Sequence, residues 1–189
     1  MQKFSVIVIG GGAAGIVAGI SAKRKGKSVL ICEKMPSIGK KILASGNGRC
    51  NLCNERLDEL YYNTAASNLV RNIFSQFGKE KIVTFFHALG LETYSQDSRI
   101  FPVTNQSSSV LKILQMELER LSIPIALNCK INSIKKTSDG FMLSSAHKQA
   151  FSCENIILTG GGKTYPALGS DGNTYTLAQH FGHTLVDPV

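Results

Sequence analysis

Low-complexity tracts, repeats of fixed period and long unbroken apolar runs are all missing from this 189-residue chain. Their absence points away from fibres, solenoids, disordered tails and helices that cross a bilayer. Carboxylates are scarce, 13 against 21 lysines and arginines, which leaves a net charge of +8. Such a balance suits an anionic partner. The basic residues are dispersed, with short pairs at Lys23-Arg24, Lys40-Lys41 and Lys135-Lys136, and no arginine stripe alternates with aromatics. A stacking platform for bases needs that stripe, so no nucleic-acid partner is expected. A cofactor with two phosphates would offset part of the charge.

A disulfide framework is also lacking. The five cysteines (Cys32, Cys50, Cys53, Cys129 and Cys153) are odd in number, and Cys32 and Cys153 sit in or beside apolar runs as small hydrophobes. A reducing cytoplasm is the expected setting, with no membrane partner. Phe4 to Ala22 is apolar and starts near a lysine, as a signal peptide would. Its glycines Gly10, Gly11, Gly12, Gly15 and Gly19 have another explanation, and no cleavage site follows. The histidines (His87, His147, His180, His183) lack metal-ligand spacing, so no metal is expected. No serine has a nucleophile-elbow context, and no residue is assigned as general acid or base.

What is present is a strand–turn–helix–strand opening. Phe4 to Ile9 is a continuous β-branched run that predicts a strand buried on both faces. Ala14 to Lys25 predicts a helix, and Ser28 to Cys32 a second buried strand, which makes a right-handed βαβ unit. Met35 to Asn54 is polar, glycine-rich and irregular, and a loop of that length is usually functional. Amphipathic helices are expected over Ala65 to Phe77 and Lys79 to Leu89, a hairpin over Leu91 to Val103, and a helix from Ser107 to about Leu121. Ile123 to Leu127 reads as a third sheet strand. Ile131 to Lys135, Phe141 to Ser145 and Ala150 to Cys153 read as a meander with its turn at Asp139-Gly140. Asn155 to Leu158 reads as a further buried strand, Thr174 to Phe181 as a helix and Thr184 to Val186 as the start of a strand. The abrupt ending suggests a fragment of a longer chain.

Between the first strand and helix stands Gly10-x-Gly12-x-x-Gly15. Gly10 permits the tight turn, Gly12 lets backbone approach a pyrophosphate, and Gly15 lets helix and strand pack closely. The helix start, with Ala13 and Ala14, offers free amides and partial positive charge to phosphates. Glu33, ending the second strand, is placed to accept hydrogen bonds from a ribose diol and to disfavour a 2′-phosphate. A second glycine cluster follows a strand at Thr159-Gly160-Gly161. Helices, then a meander, then such a cluster is an order typical of two-dinucleotide flavoproteins, which favours FAD over NAD.

The most specific segment is Gly39-Lys40-Lys41-Ile42-Leu43-Ala44-Ser45-Gly46-Asn47-Gly48-Arg49-Cys50-Asn51. Together with the N-terminal turn, Arg99-Ile100-Phe101-Pro102, Gly161-Gly162-Lys163-Thr164-Tyr165-Pro166, Leu168-Gly169-Ser170 and Gly182-His183-Thr184, it resembles the BaiN-type family of bacterial NAD(P)/FAD-dependent oxidoreductases, which includes aminoacetone oxidase-like proteins. The likeness covers essentially the whole chain. Family members are longer, which agrees with the fragment reading.

The resemblance implies that Gly10 to Gly15 hold the pyrophosphate, that Glu33 serves the adenosine ribose, and that Lys34 is among the cofactor-binding residues. It brings Lys41 and the loop of Ser45, Gly46, Gly48, Arg49, Cys50 and Asn51 toward the phosphates and flavin ring. Arg49 stabilises negative charge on reduced flavin or forms a salt bridge under the loop, and both roles stay open. Ile131 faces the adenine through backbone groups, and Thr159, Gly160 and Gly161 pass close to the FAD.

Two departures matter: Asp171-Gly172-Asn173-Thr174 stands where the family has a Thr-Gly-Asp-Gly turn, and Cys53 replaces a small hydroxyl residue. Cys50 and Cys53 then have redox-dithiol spacing, which leaves open a flavin-linked disulfide reductase. A non-catalytic flavin-binding module is the other alternative.

The expected fold is α/β, a Rossmann-type FAD-binding domain whose parallel sheet has a β-meander crossover and an added helical segment. Its parts are 1–55 (βαβ unit and flavin loop), 56–122 (helical segment) and 123–189 (third strand, meander, glycine cluster and start of the next segment). The expected activity is hydride exchange between flavin and a small organic substrate, with NAD(P)H or O2 as second redox partner.

Overall fold

A computed structural model describes residues 2–147 and 149–186 of the chain. The first half carries β1 (Gln2–Ile9), α1 (Ala13–Arg24), β2 (Val29–Cys32), α2 (Lys40–Ala44), β3 (Cys53–Asn54), α3 (Ser67–Gln76) and α4 (Lys79–His87). Then follow β4 (Thr93–Gln96), β5 (Arg99–Pro102), α5 (Ser107–Arg120), β6 (Ile125–Ala126), β7 (Ile131–Thr137), β8 (Gly140–Ser145), β9 (Ala150–Leu158) and α6 (Asn173–Gln179). The chain divides into two compact units, Met1–Lys41 with Gln115–Val189, and Ile42–Leu114.

The first unit is built on a six-stranded sheet in the order β6-β2-β1-β9-β8-β7. β6, β2, β1 and β9 run parallel, and β8 and β7 close the edge antiparallel. Val6 to Ile9 and all of β2 are buried, as continuous β-branched runs inside a parallel sheet require. On one face Ile7, Ile9, Leu30, Ile131, Ile134 and Leu143 form the core. On the other, α1 buries Ile16 and Ile20, and Gly19 brings the helix against Ile31, whose Cδ1 would stand 3.0 Å from any added Cβ. This is the expected α/β architecture with a meander edge.

Several expected boundaries shift. The strands at 150–153 and 155–158 are one strand, β9, because β1 pairs with it in unbroken register from Gln2↔Phe151 to Ile9↔Leu158. Its last three residues are half-buried rather than buried. The third strand shrinks to Ile125–Ala126, and Thr184 to Val186 is irregular. The irregular stretch after Met35 contains the short helix α2 and a 3-10 turn over Ser45–Gly48.

The second unit holds a small antiparallel sheet, β3-β5-β4, with α3 and α4. The expected hairpin forms as β4 and β5, in register from Thr93↔Pro102 to Gln96↔Arg99. Ile100 and Phe101 are buried in this unit. α3 forms where its periodicity places it, yet Val70 is buried while Leu69, Ile73 and Phe77 stand exposed.

Candidate cofactor site

The glycine turn joins β1 to α1 at the carboxyl edge of the parallel strands. Gly10 donates its amide to the Cys32 carbonyl at 2.8 Å and takes φ +114°, a conformation open to glycine. A Cβ there would stand 2.6 Å from the Thr159 carbonyl oxygen. The Thr159 hydroxyl returns the contact, lying 3.0 and 3.1 Å from the Ile9 and Gly10 carbonyls to which it donates. A side chain on Gly15 would collide with the Gly10 carbonyl, so helix and strand pack at a distance only glycine allows. Gly12 differs: nothing stands within 4 Å of where its Cβ would be. The absence of a side chain there leaves open space above the helix start.

Gly12 caps α1 with extended backbone and no side-chain bond, and the first turn holds no acid. The first intrahelical bond runs from the Ile16 amide to the Gly12 carbonyl at 2.9 Å. The amides of Ala13, Ala14 and Gly15 thus point out of the helix with its positive end. Beside them Glu33, 8% exposed, accepts the Gly11 amide at 2.6 Å through Oε2 and the Met35 amide at 2.8 Å through Oε1. Its carboxylate therefore fastens the turn to the end of β2, and each oxygen keeps a lone pair for another donor.

One cleft is lined by Gly10, Gly12, Glu33, Lys34, Lys41, Ile131, Thr159, Gly160 and Gly161, so these expected site residues meet. Three more line or edge it, from the 168–174 segment that the sequence singled out without assigning any of its residues to the site. Asp171 accepts from Lys34 Nζ at 2.5 Å, from Lys130 Nζ at 3.3 Å and from the Asn173 amide at 3.1 Å. The Lys34 ammonium, with the Asn173 amide and Lys130, holds the Asp171 carboxyl far below the usual carboxylate range, against a smaller effect of burial. Asn173 Nδ2 donates to the Ile131 carbonyl at 3.1 Å. Ser170, 1% exposed, is the buried side chain whose polar atom lacks a hydrogen-bond partner among the described residues. The available signal was Gly169 and Gly172, both at positive φ, bracketing the polar pair Ser170-Asp171.

A family model, the HI0933-like protein Rossmann domain, matches residues 4–188. The chain belongs to that family. The HI0933-like chain is 44% identical over 180 residues to a 3-dehydro-bile acid delta(4,6)-reductase of Clostridium scindens, covering 94% of this chain and 44% of that protein. It is 26% identical over 182 residues to a ribosomal RNA dihydrouridine synthase of Escherichia coli, covering 96% of this chain and 45% of the relative. The chain thus spans under half the length of these curated relatives. Among solved structures, the 3-ketosteroid-delta4-(5alpha)-dehydrogenase of Rhodococcus jostii superposes with a TM-score of 0.73 at 14% identity, over 97% of this chain and 55% of that one. That likeness concerns the fold.

The remaining expected residues of this HI0933-like chain, Ser45, Gly46, Gly48, Arg49, Cys50 and Asn51, belong to the second compact unit. They form a tight turn in which Gly46, Asn47, Gly48 and Cys50 all take positive φ. Among the described residues Arg49 makes no salt bridge: its guanidinium stacks 4.3 Å over Phe101 and donates to Gln96 Oε1 at 3.1 Å. Cys50 and Cys53 are free and buried, and burial pushes both thiols up. A dithiol couple needs the opposite shift, toward thiolate. Among the described residues no metal-binding cluster occurs, and no helix is long and apolar enough to cross a membrane.

Proposed function

We propose that this chain is the FAD-binding part of an oxidoreductase that passes hydride between flavin and a small organic substrate, with NAD(P)H or O2 as the other redox partner. One observation carries the reading: the glycine turn that leads into α1, the fixed Glu33 and the Gly160-Gly161 turn line one cleft. The residues fit such a group. Open space lies over Gly12, where a pyrophosphate would approach, and Ser170 has a buried hydroxyl without a partner among the described residues. Gly10, Gly12, Ala13, Ala14 and Gly15 would hold the pyrophosphate, and Glu33 the ribose diol. Lys34 is engaged by Asp171 and would help the ribose only through its remaining protons. Ile131 would meet the adenine through its backbone. For residues 45–51 the proposal rests on the sequence resemblance alone. When bound, the flavin supplies the hydride chemistry, while the chain orients it and excludes water.

The name of the Clostridium scindens relative supports a carbon–carbon double bond conjugated to a ring ketone as the substrate class to try first. The Escherichia coli relative makes uridine in ribosomal RNA the comparison compound. The test uses the full-length protein. A yellow preparation, bleached anaerobically by NADH or NADPH and reoxidised by a fused-ring enone, meets the expectation. A colourless protein that cannot be loaded with FAD overturns it. Reoxidation by RNA and not by the enone replaces the substrate class and keeps the flavin.

A further inference from the structure

We propose that Cys32 and Cys129 form a reversible disulfide under hydrogen peroxide, and that this cross-link weakens binding in the glycine-lined cleft. The cross-link stands apart from the FAD reading above, whereas its effect on a dinucleotide rests on that reading. Cys32 ends β2, and Cys129 stands two residues before the start of β7. Both are free thiols at 1% exposure in one core cluster, and both residues line the cleft. The backbone brings them together. The Cys129 amide donates to the Glu33 carbonyl at 2.8 Å, and the Asn128 amide to the Met35 carbonyl at 3.1 Å. The two side chains meet in a hydrogen bond between thiols. Cys153 belongs to the same cluster, but its sulfur accepts from the backbone at Ile7 and Asn155.

The pair is asymmetric, with one thiol poised to ionise and one holding its proton. The hydrogen bond from Cys32 moves the Cys129 thiol down; burial opposes it, and the Ser145 hydroxyl assists. The same bond moves Cys32 up, and burial adds to that shift. Cys50 and Cys53 are both pushed up and lack this asymmetry. The Cys129 thiolate attacks one peroxide oxygen, the O–O bond breaks, and hydroxide leaves and is protonated to water. The Cys32 sulfur then attacks the Cys129 sulfur and displaces the remaining oxygen, which departs as water with the Cys32 proton. Two thiols are oxidised, and one peroxide is reduced to two waters. Bonded sulfurs stand closer than thiols in contact, so the end of β2 and the approach to β7 must shift. That shift reaches the cleft by two short routes. The Cys32 carbonyl accepts the Gly10 amide at 2.8 Å, and the Ile131 carbonyl, just beyond Cys129, accepts from Asn173 Nδ2 at 3.1 Å.

The experiment takes the full-length protein stripped of flavin, treated with hydrogen peroxide and then, in one half of the sample, with dithiothreitol. Non-reducing peptide mass mapping locates cross-links, and titration calorimetry measures FAD and ADP binding before and after each treatment. Expected are a Cys32–Cys129 peptide pair, a loss of about tenfold in affinity for both ligands, and reversal of both by dithiothreitol. Coupling is reciprocal, so saturating ADP should favour the dithiol by the same factor in a glutathione redox buffer. Cys129→Ala, compared with its own untreated form, should lose the response to peroxide, and Cys153→Ala should keep it. The mapping needs no variant, so it decides the cross-link even where Cys129→Ala fails to fold. Absence of the Cys32–Cys129 pair overturns the proposal, as does the same loss of affinity in Cys129→Ala or a cross-link that leaves affinity unchanged. Wild type that binds neither ligand before oxidation removes the FAD reading, and the mapping still decides the cross-link by itself.

Discussion

The Glu33 carboxylate accepts the Gly11 amide at 2.6 Å, so the acid that ends β2 also holds the glycine turn after β1 in shape. Its other oxygen takes the Met35 amide at 2.8 Å. Replacing Glu33 with Ala strips two amides of a charged acceptor at a buried position. The ligand-free protein should lose about 2 kcal/mol of stability, read by urea unfolding. Glu33→Gln, which keeps one acceptor oxygen, should lose less. Equal stability of all three proteins would mean that the two bonds do not shape the turn.

Gly12 and Gly15 separate binding from folding. Gly15→Ala drives a methyl into the Gly10 carbonyl, and the overpacking should cost about 1–3 kcal/mol. Gly12→Ala meets no protein atom within 4 Å. Its stability should stay within about 1 kcal/mol of wild type, while FAD affinity falls because the methyl occupies the approach to the α1 amides. Calorimetric titration and denaturant melts on both variants check the contrast; a destabilised Gly12→Ala would contradict it.

Asp171 gives the cleft edge an acid-dependent stability. Lys34, the Asn173 amide and Lys130 depress its folded pKa, so the contribution is complete above the ordinary carboxylate pKa and is lost as pH falls toward the folded value. Wild type should therefore melt above Asp171→Asn at neutral pH, and the gap should narrow below about pH 4. A gap that is constant from neutral to acid would assign the effect to packing. Part of the pair is solvent-exposed, so added salt should also reduce the gap.

The buried thiols Cys50 and Cys53 should react with a thiol reagent only slowly at neutral pH in the native protein, and readily in denaturant. Cys53→Ser in the full-length protein should leave turnover unchanged, with no charge-transfer absorbance in the reduced wild type. A charge-transfer band lost in Cys53→Ser would restore the disulfide-reductase alternative.

The legible parts of this molecule were the local ones. β1, the glycine turn, α1 and β2 follow one another directly, and each carries its own signal in continuous β-branched runs and spaced glycines. The hairpin of β4 and β5 was legible for the same reason, and so was the turn between β7 and β8, one residue earlier than expected, at Ser138-Asp139. β9 was not, because its alternating half and its apolar half abut without a glycine or proline, and only pairing with β1 makes them continuous. Asp171 was hidden by distance: its partner Lys34 lies 137 residues away along the chain. Ser170 was hidden because no sequence pattern marks a hydroxyl that will be buried without a partner. The apolar period of α3 announced a helix, yet it did not tell which of Leu69, Val70, Ile73 and Phe77 would be covered.

The Thr159 hydroxyl clasps the carbonyls of Ile9 and Gly10 across 150 and 149 residues of chain. During synthesis the glycine turn leaves the ribosome early, but the wall that completes its cleft arrives only with β9 and the residues up to Thr174. Nascent chains halted before β9 should hold the βαβ unit and still fail to retain a dinucleotide. On the proposed reading, loading would follow the joining of β1 to β9, two strands far apart in the sequence.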